Sequence, residues 1–125
     1  MSNPFNVLDN SVEEVSKLDK SADLKVQIES ILNAGKVVLF MKGNADFPQC
    51  GFSANSIAIL KHLAVPFKTF NILNDPEIRQ GVKEYSNWPT YPQLYVNGKL
   101  VGGNDIITEM YQSGELQDYL KQALA

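Results

Sequence analysis

The chain has 125 residues, a length that suits one folded domain with a substantial core. Its 44% apolar and 20% charged residues exclude the profile of an intrinsically disordered chain. A net charge of -3 and scattered lysines and arginines argue against a nucleic-acid partner. The longest apolar run, residues 37–41, is far shorter than the ~20 residues of a membrane-spanning helix. Neither nucleic acid nor a membrane is therefore expected as a partner.

The first 20 residues are polar and irregular, with Val12, Val15 and Leu18 at helical spacing. They predict a loosely ordered N-terminal extension with one or two helical turns, followed by a domain over residues 21–125. No basic segment with an apolar core and no arginine precede this domain, so no secretory or mitochondrial signal is visible. The expected location is the cytoplasm.

The first half of the domain alternates between helix and strand. From Ser21, a plausible cap, apolar residues at intervals of three and four predict an amphipathic helix that ends at 33–35. Residues 36–41 are apolar at nearly every position, with β-branched Val37 and Val38, and predict a central strand covered on both faces. After a loop over 42–49, helical spacing returns behind Cys50 and ends before Pro66. Cys50 is thus predicted to lie at a helix N-terminus.

The second half predicts two more strand and helix units. Residues 67–73 alternate as a strand, and Asp75 with Pro76 has the pattern of an N-cap followed by an N1 proline. Asn97-Gly98 is a strong signal for a type I′ hairpin between strands at 93–96 and 99–101. Closing helices are expected around 106–110 and 116–124.

These elements define a fold class. A β-α-β unit requires parallel strands, whereas the Asn97-Gly98 turn requires an antiparallel pair, so the sheet is mixed. The order of elements predicts an α/β protein with a thioredoxin-like fold, in which a four-stranded mixed sheet is flanked by helices.

Cys50 is the only cysteine of the chain. One cysteine cannot form an intrachain disulfide or provide a four-ligand structural zinc site. At a helix N-terminus, unpaired N–H groups favour the thiolate, and Lys42 offers a second positive charge nearby. Composition alone leaves open the alternative of an inert, buried cysteine.

Two further segments are candidates for ligand binding. In Trp88-Pro89-Thr90-Tyr91-Pro92 an aromatic residue before proline favours a cis bond, which would present the backbone of Tyr91 to a peptide ligand; a simple rigid turn is the alternative. Gly102-Gly103-Asn104-Asp105 ends a strand and begins a helix, where backbone N–H groups can receive a carboxylate. The alternative is that Asn104 or Asp105 merely caps this helix.

Four features together resemble one family. They are Lys42, the segment Pro48-Gln49-Cys50-Gly51-Phe52-Ser53, the segment Trp88-Pro89-Thr90-Tyr91-Pro92-Gln93, and Gly102-Gly103-Asn104-Asp105. In this order and spacing the chain resembles monothiol glutaredoxins of the Cys-Gly-Phe-Ser type, from about Leu24 to the C-terminus. Many relatives carry a second cysteine directly after the glycine pair, where this chain has Asn104, so no resolving disulfide can form through that position.

The resemblance implies a set of functional residues. Cys50 would be the catalytic thiol and the iron ligand. Lys42 and Arg79 would face the glycine carboxylate of glutathione, and Asn104 with Asp105 its γ-glutamyl end. The implied glutathione-binding residues are Lys42, Arg79, Thr90, Tyr91, the cis-proline Pro92, Gly103, Asn104 and Asp105.

The resemblance also implies a function. Two Cys50 thiolates and two glutathione thiolates would hold a [2Fe-2S] cluster between two subunits, for transfer in iron-sulfur cluster assembly and iron homeostasis. Expected partners are a second copy of the chain, a BolA-type protein and acceptor apoproteins. The alternative is a glutathione-dependent oxidoreductase acting on protein-glutathione mixed disulfides, for which the resemblance implies at most weak activity. A redox-inert adaptor is a third possibility.

Overall fold

A computed structural model describes residues 12–125, which form one five-stranded sheet and five α-helices. The strands are β1 (Val12–Glu14), β2 (Val37–Met41), β3 (Phe67–Asn71), β4 (Gln93–Val96) and β5 (Lys99–Gly102). The helices are α1 (Leu24–Leu32), α2 (Gly51–His62), α3 (Pro76–Ser86), α4 (Asn104–Ser113) and α5 (Glu115–Leu124). A 3-10 turn over Ile72–Asn74 joins β3 to α3.

The sheet has the order β1-β3-β2-β4-β5. β3 pairs in parallel with both β1 and β2, whereas β4 pairs antiparallel with β2 and with β5. Asn97 and Gly98 both have positive φ angles, of 51° and 79°, as a type I′ hairpin requires. The predicted mixed sheet and the predicted hairpin are confirmed.

The central strand β2 divides the core into two halves. All five of its residues are buried, and alternate side chains point to opposite faces of the sheet. Val37, Leu39 and Met41 pack with buried residues of α2, α4 and α5. Val38 and Phe40 pack on the other face with buried residues of α1 and α3. The sheet is therefore covered by helices on both faces, as the uninterrupted apolar run predicts.

The predicted strand number was wrong, because the sheet includes a fifth strand at its edge. β1 lies within the segment predicted to be a loose or helical extension, and it pairs with β3 from Val12 opposite Phe67. The N–H of Val15 continues this pairing by donating to the carbonyl of Thr69 at 2.7 Å. Val12 packs on one face of the sheet, whereas Val15 and Leu18 pack on the other. Their spacing therefore does not mark one face of a helix. The rest of the predicted extension, residues 1–11, lies outside the described residues.

Two predicted boundaries also differ. Asp23, not Ser21, occupies the N-cap position of α1, and the Ser21 hydroxyl instead donates to the carboxylate of Asp19 at 2.5 Å. The third strand ends at Asn71 rather than at Leu73, because the Asn71 side chain accepts the N–H of Leu73 and begins the 3-10 turn. Asp75 caps α3, with Pro76 following as predicted. Within the described part of the chain, every helix is too short or too polar to cross a membrane.

Candidate functional site

Cys50 occupies the N-cap position of α2, as the sequence predicts. Its Sγ accepts the backbone N–H of Ser53 at 3.4 Å, in the way a serine or aspartate oxygen accepts at other helix N-termini. The Ser53 hydroxyl lies 3.7 Å from the sulfur and accepts the N–H of Lys42 at 3.1 Å. A thiolate has no proton to donate, so in the ionised form the Ser53 hydroxyl is the donor of this contact. Ser53 thus joins the cysteine to the loop that carries Lys42.

These contacts determine the protonation of the thiol. Partial burial would raise the pKa of Cys50, but the N–H and hydroxyl of Ser53, the N–H of Phe52 and the charge of Lys42 together outweigh it. The pKa of Cys50 therefore lies below its ordinary value. Cys50 is partly exposed, so the site combines an accessible residue with a stabilised thiolate. This geometry argues against an inert, buried cysteine.

A cleft of about 620 Å³ opens beside Cys50. Its lining residues come from the loop after β2, from the first turn of α2, from α3, from the loop before β4 and from the start of α4. They are Lys42, Phe52, Arg79, Lys83, Trp88, Pro89, Thr90, Tyr91, Gly103, Asn104, Asp105 and Ile106. Segments far apart in sequence therefore share one cleft.

The cleft is cationic, although the chain as a whole is acidic. Lys42, Arg79 and Lys83 line it against one carboxylate, that of Asp105. None of these three cations forms a salt bridge with another residue between 12 and 125. Charged groups left unpaired in a concave site attract ligands of the opposite charge. The cleft is suited to an anion of modest size.

The loop before β4 is held from behind by a buried amide. Gln93 is fully buried, and its Nε2 donates to the carbonyls of Trp88 at 3.1 Å and Thr90 at 3.2 Å. The Tyr95 hydroxyl donates to Gln93 Oε1 at 3.1 Å, which fixes the orientation of the amide. Trp88 and Thr90 thereby keep a set position in the cleft wall.

Tyr91 and Pro92 follow in the same loop. The Tyr91–Pro92 peptide bond is cis, as predicted. The Tyr91 ring is buried, and its hydroxyl donates to the carbonyl of Arg79 at 2.7 Å. Burial raises the pKa of the Tyr91 phenol, so this group is a neutral donor. The bond ties the loop to α3, the helix that carries Arg79.

The N-terminus of α4 forms the opposite wall. Gly103 is its N-cap residue and provides no side-chain hydrogen bond, so neither Asn104 nor Asp105 caps this helix. The N–H groups of the first turn therefore lack intrahelical partners, and this turn lines the cleft. A side chain at Gly103 would begin 3.2 Å from Trp88 Nε1, so this close approach favours glycine. The wall can receive a carboxylate.

The structure brings most of the predicted site residues together. Seven of the nine line the cleft: Lys42, Arg79, Thr90, Tyr91, Gly103, Asn104 and Asp105. Cys50 lies next to it at the start of α2, and Pro92 lies behind Tyr91 without lining it. Their roles in binding stay predictions.

Other cleft residues were not predicted as site residues. Lys83 lies four residues after Arg79 on α3, a spacing that places both on one helix face and could have revealed it. The Phe52, Trp88, Pro89 and Ile106 side chains give the cleft its apolar surface. Among the residues from 12 onward, no group of three or more His, Cys, Asp or Glu side chains could hold a metal ion.

Comparison with known proteins identifies the family. The glutaredoxin family model matches residues 37–101. A ycf64-like monothiol glutaredoxin of Synechocystis sp. is 57% identical over 103 residues, covering 82% of this chain and 96% of the relative. The chloroplastic monothiol glutaredoxin-S14 of Arabidopsis thaliana is 54% identical and covers 81% of this chain, which spans only 58% of that relative. The chain therefore belongs to the glutaredoxin family, on its monothiol branch.

Solved structures show the same thioredoxin-like fold. The solution structure of reduced poplar apo GrxS14 matches with a TM-score of 0.72 and 53% identity, over 81% of this chain and 93% of that one. A buckwheat glutaredoxin solved as a glutathione complex matches with a TM-score of 0.70 over 82% of this chain and 94% of that one. At 21% identity the buckwheat protein shows the likeness of fold alone.

Proposed function

We propose that this monothiol glutaredoxin binds a glutathione-ligated [2Fe-2S] cluster between two subunits and passes the cluster to acceptor proteins. The observation that carries the proposal is the pairing of one stabilised, accessible thiolate with a cationic cleft beside it. The chain supplies no second cysteine. Any cluster with four thiolate ligands must therefore take the others from outside the chain.

Glutathione fits the cleft by its chemistry. It is a small peptide with two carboxylates and one ammonium group, so it needs positive charge at one end and carboxylate-binding N–H groups at the other. Lys42 and Arg79 supply the first, and the uncapped start of α4 supplies the second. Asp105 offers a carboxylate to the ammonium group. The glutathione thiol would then lie near Cys50.

Two such sites facing each other supply four thiolates, two from Cys50 and two from glutathione. The N–H and hydroxyl of Ser53 are donors to the cysteine sulfur of the kind that tunes iron-sulfur ligands. Half of the ligands are exchangeable small molecules, which suits a cluster that is cargo. The proposed partners are a second copy of this chain, a BolA-type protein and acceptor apoproteins, within cluster assembly and iron homeostasis.

Replacement of the cysteine tests this proposal. Cys50→Ser removes the chain's only thiolate, so we expect the visible absorbance of the reconstituted cluster to be lost. Ser30→Ala, at an exposed position on α1, is the matched control and should keep the absorbance. Colour that persists in Cys50→Ser would contradict the proposal.

The lowered pKa of Cys50 favours a second candidate, exchange with glutathione mixed disulfides. The Cys50 thiolate would attack the glutathione sulfur, form a new disulfide and release the protein thiol; a second glutathione thiolate would then release oxidised glutathione and regenerate Cys50. Turnover of a glutathione mixed disulfide tests this reaction. A rate at background level would remove it.

A cytoplasmic location completes the proposal. The Arabidopsis relative is named as chloroplastic, so the compartment needs its own test. Fractionation of the source cells with an antibody to the chain would supply it, and recovery from an organelle would contradict the cytoplasmic location.

A further inference from the structure

Four polar side chains join α2 to α4 next to the cleft. Asn55 Nδ2 donates to Asn104 Oδ1 at 2.9 Å, and the Ser56 hydroxyl donates to the same oxygen at 3.0 Å. Asn55 also donates to the Thr108 hydroxyl at 2.9 Å, one turn further along α4. Ser56 is fully buried, whereas Asn55 is exposed. We call Asn55, Ser56 and Asn104 the α2–α4 latch.

The latch connects the two ends of the site. Cys50 is the N-cap residue of α2, and Asn55 and Ser56 follow within the next two turns of that helix. Asn104 is the first residue of α4, whose N–H groups line the cleft. The latch therefore ties the helix that begins after the cysteine to the helix whose N–H groups line the cleft.

The latch also decides which atoms a ligand meets. The side-chain oxygen of Asn104 accepts two hydrogen bonds from α2, so its lone pairs are engaged inside the protein. A carboxylate approaching α4 consequently meets N–H donors instead of a repelling amide oxygen. A cysteine at this position would provide only a weak acceptor, so the latch depends on asparagine.

We propose that Asn55 and Ser56 are positioning residues that hold the start of α4 at the distance glutathione requires from Cys50. The inference rests on the proposed function, because it takes glutathione as the ligand. Neither residue lines the cleft, so both act on the ligand through Asn104.

A glutathione titration of the apo-protein, in which amide chemical shifts report binding, tests the latch. We expect Asn55→Ala to weaken binding about five- to tenfold, the effect of about one lost hydrogen bond. Thr108→Val removes only the second bond of Asn55 and should bind within about twofold of wild type. Because Cys50 is stabilised by Ser53, the pH profile of Cys50 alkylation should be unchanged in both variants.

A double-mutant cycle separates the latch from a general loss of structure. Asn104→Ala should weaken binding like Asn55→Ala, and the double variant should bind no worse than the weaker single variant. Ser56→Ala removes the other donor to Asn104 Oδ1 and should also weaken glutathione binding, which provides an independent test.

Several outcomes would overturn the inference. One is that Asn55→Ala binds glutathione with wild-type affinity. Another is that Thr108→Val loses as much affinity as Asn55→Ala. A third is that the losses of Asn55→Ala and Asn104→Ala multiply in the double variant. A wild-type chain that binds no glutathione would contradict the proposed function as well, whereas normal wild-type binding with an insensitive Asn55→Ala contradicts the latch alone.

Discussion

At the residue scale, Ser53 provides the two largest effects that lower the pKa of the Cys50 thiol. It is fully buried, and it contacts the cysteine with both its N–H and its hydroxyl while also bonding the backbone of Lys42. The sequence predicts Cys50 at a helix N-terminus and so explains part of its lowered pKa. The Ser53 hydroxyl contact depends on a rotamer and on the path of the loop 42–49, which local sequence does not specify.

Removal of the Ser53 hydroxyl should make Cys50 less reactive. Ser53→Ala keeps the N–H donor but loses the side-chain donor, so the pKa of Cys50 should rise towards its ordinary value. Alkylation by iodoacetamide at pH 7 should slow roughly three- to tenfold, since less thiolate is present. Ser30→Ala should react like wild type. An unchanged profile of alkylation rate against pH in Ser53→Ala would contradict this assignment.

Lys83 should contribute to the charge of the cleft. Lys83→Gln removes one of the three cations that line the cleft, and we expect glutathione to bind roughly two- to fourfold more weakly at low salt. The difference should shrink at high salt, because exposed charges are screened. Lys121→Gln removes the same charge from the last turn of α5 and serves as the control. Equal effects of both substitutions would show that net charge, not the cleft, controls binding.

At the element scale, the sequence predicts most of the architecture because its local signals agree. The buried run of β2, the Asn97-Gly98 turn and the Asp75-Pro76 helix start each have a short-range physical cause. β1 has none, since its three residues Val-Glu-Glu become a strand only by pairing with β3. That pairing joins residues more than fifty positions apart. Tertiary contact, not propensity, decides this element.

Asp75, at the start of α3, should make the free energy of unfolding depend on pH. Asp75 accepts the N–H of Ile78 at 3.1 Å and pairs with Lys20 at 2.7 Å. Partial burial raises the pKa of Asp75, but the bonds from Lys20 and Ile78 outweigh it, so the pKa lies below its ordinary value of 3.8. The folded state thus binds fewer protons near that pH than the unfolded state. The contribution of Asp75 is complete at neutral pH and is lost as pH falls through its folded pKa.

Urea unfolding at pH 7 and at pH 3 measures this contribution. Asp75→Ala should lower the free energy of unfolding by about 1 kcal/mol at pH 7, because the helix loses its cap. The cost should be smaller at pH 3. Asp75→Asn keeps a good capping side chain and should cost less than Asp75→Ala at pH 7. A cost for Asp75→Ala that is the same at both pH values would contradict the linkage.

At the scale of the whole molecule, the site exists because the fold assembles it. The cleft combines segments from residue 42 to residue 106, which lie on both helical layers and on the loops between them. Sequence motifs indicated most of these residues through the family resemblance. The latch of Asn55 and Ser56 with Asn104 was not indicated, since it joins two helices whose relative position only the folded chain defines.

The fold also bears on how a chain with one cysteine could bind a cluster. Thioredoxin-like folds serve several chemistries, so the function has to be argued from the site. Here a stabilised thiolate lies beside a cationic cleft, which glutathione would occupy under the proposed function. Under the proposed function, glutathione and a second chain would supply the thiolates that a four-ligand cluster needs beyond Cys50.

Anaerobic reconstitution with iron, sulfide and glutathione tests this central claim most directly, with visible absorption, circular dichroism and mass measured on the product. We expect visible bands together with the mass of two chains, and we expect both to be lost when glutathione is omitted. A colourless monomer in the presence of all components would contradict the cluster carrier and favour thiol exchange at Cys50.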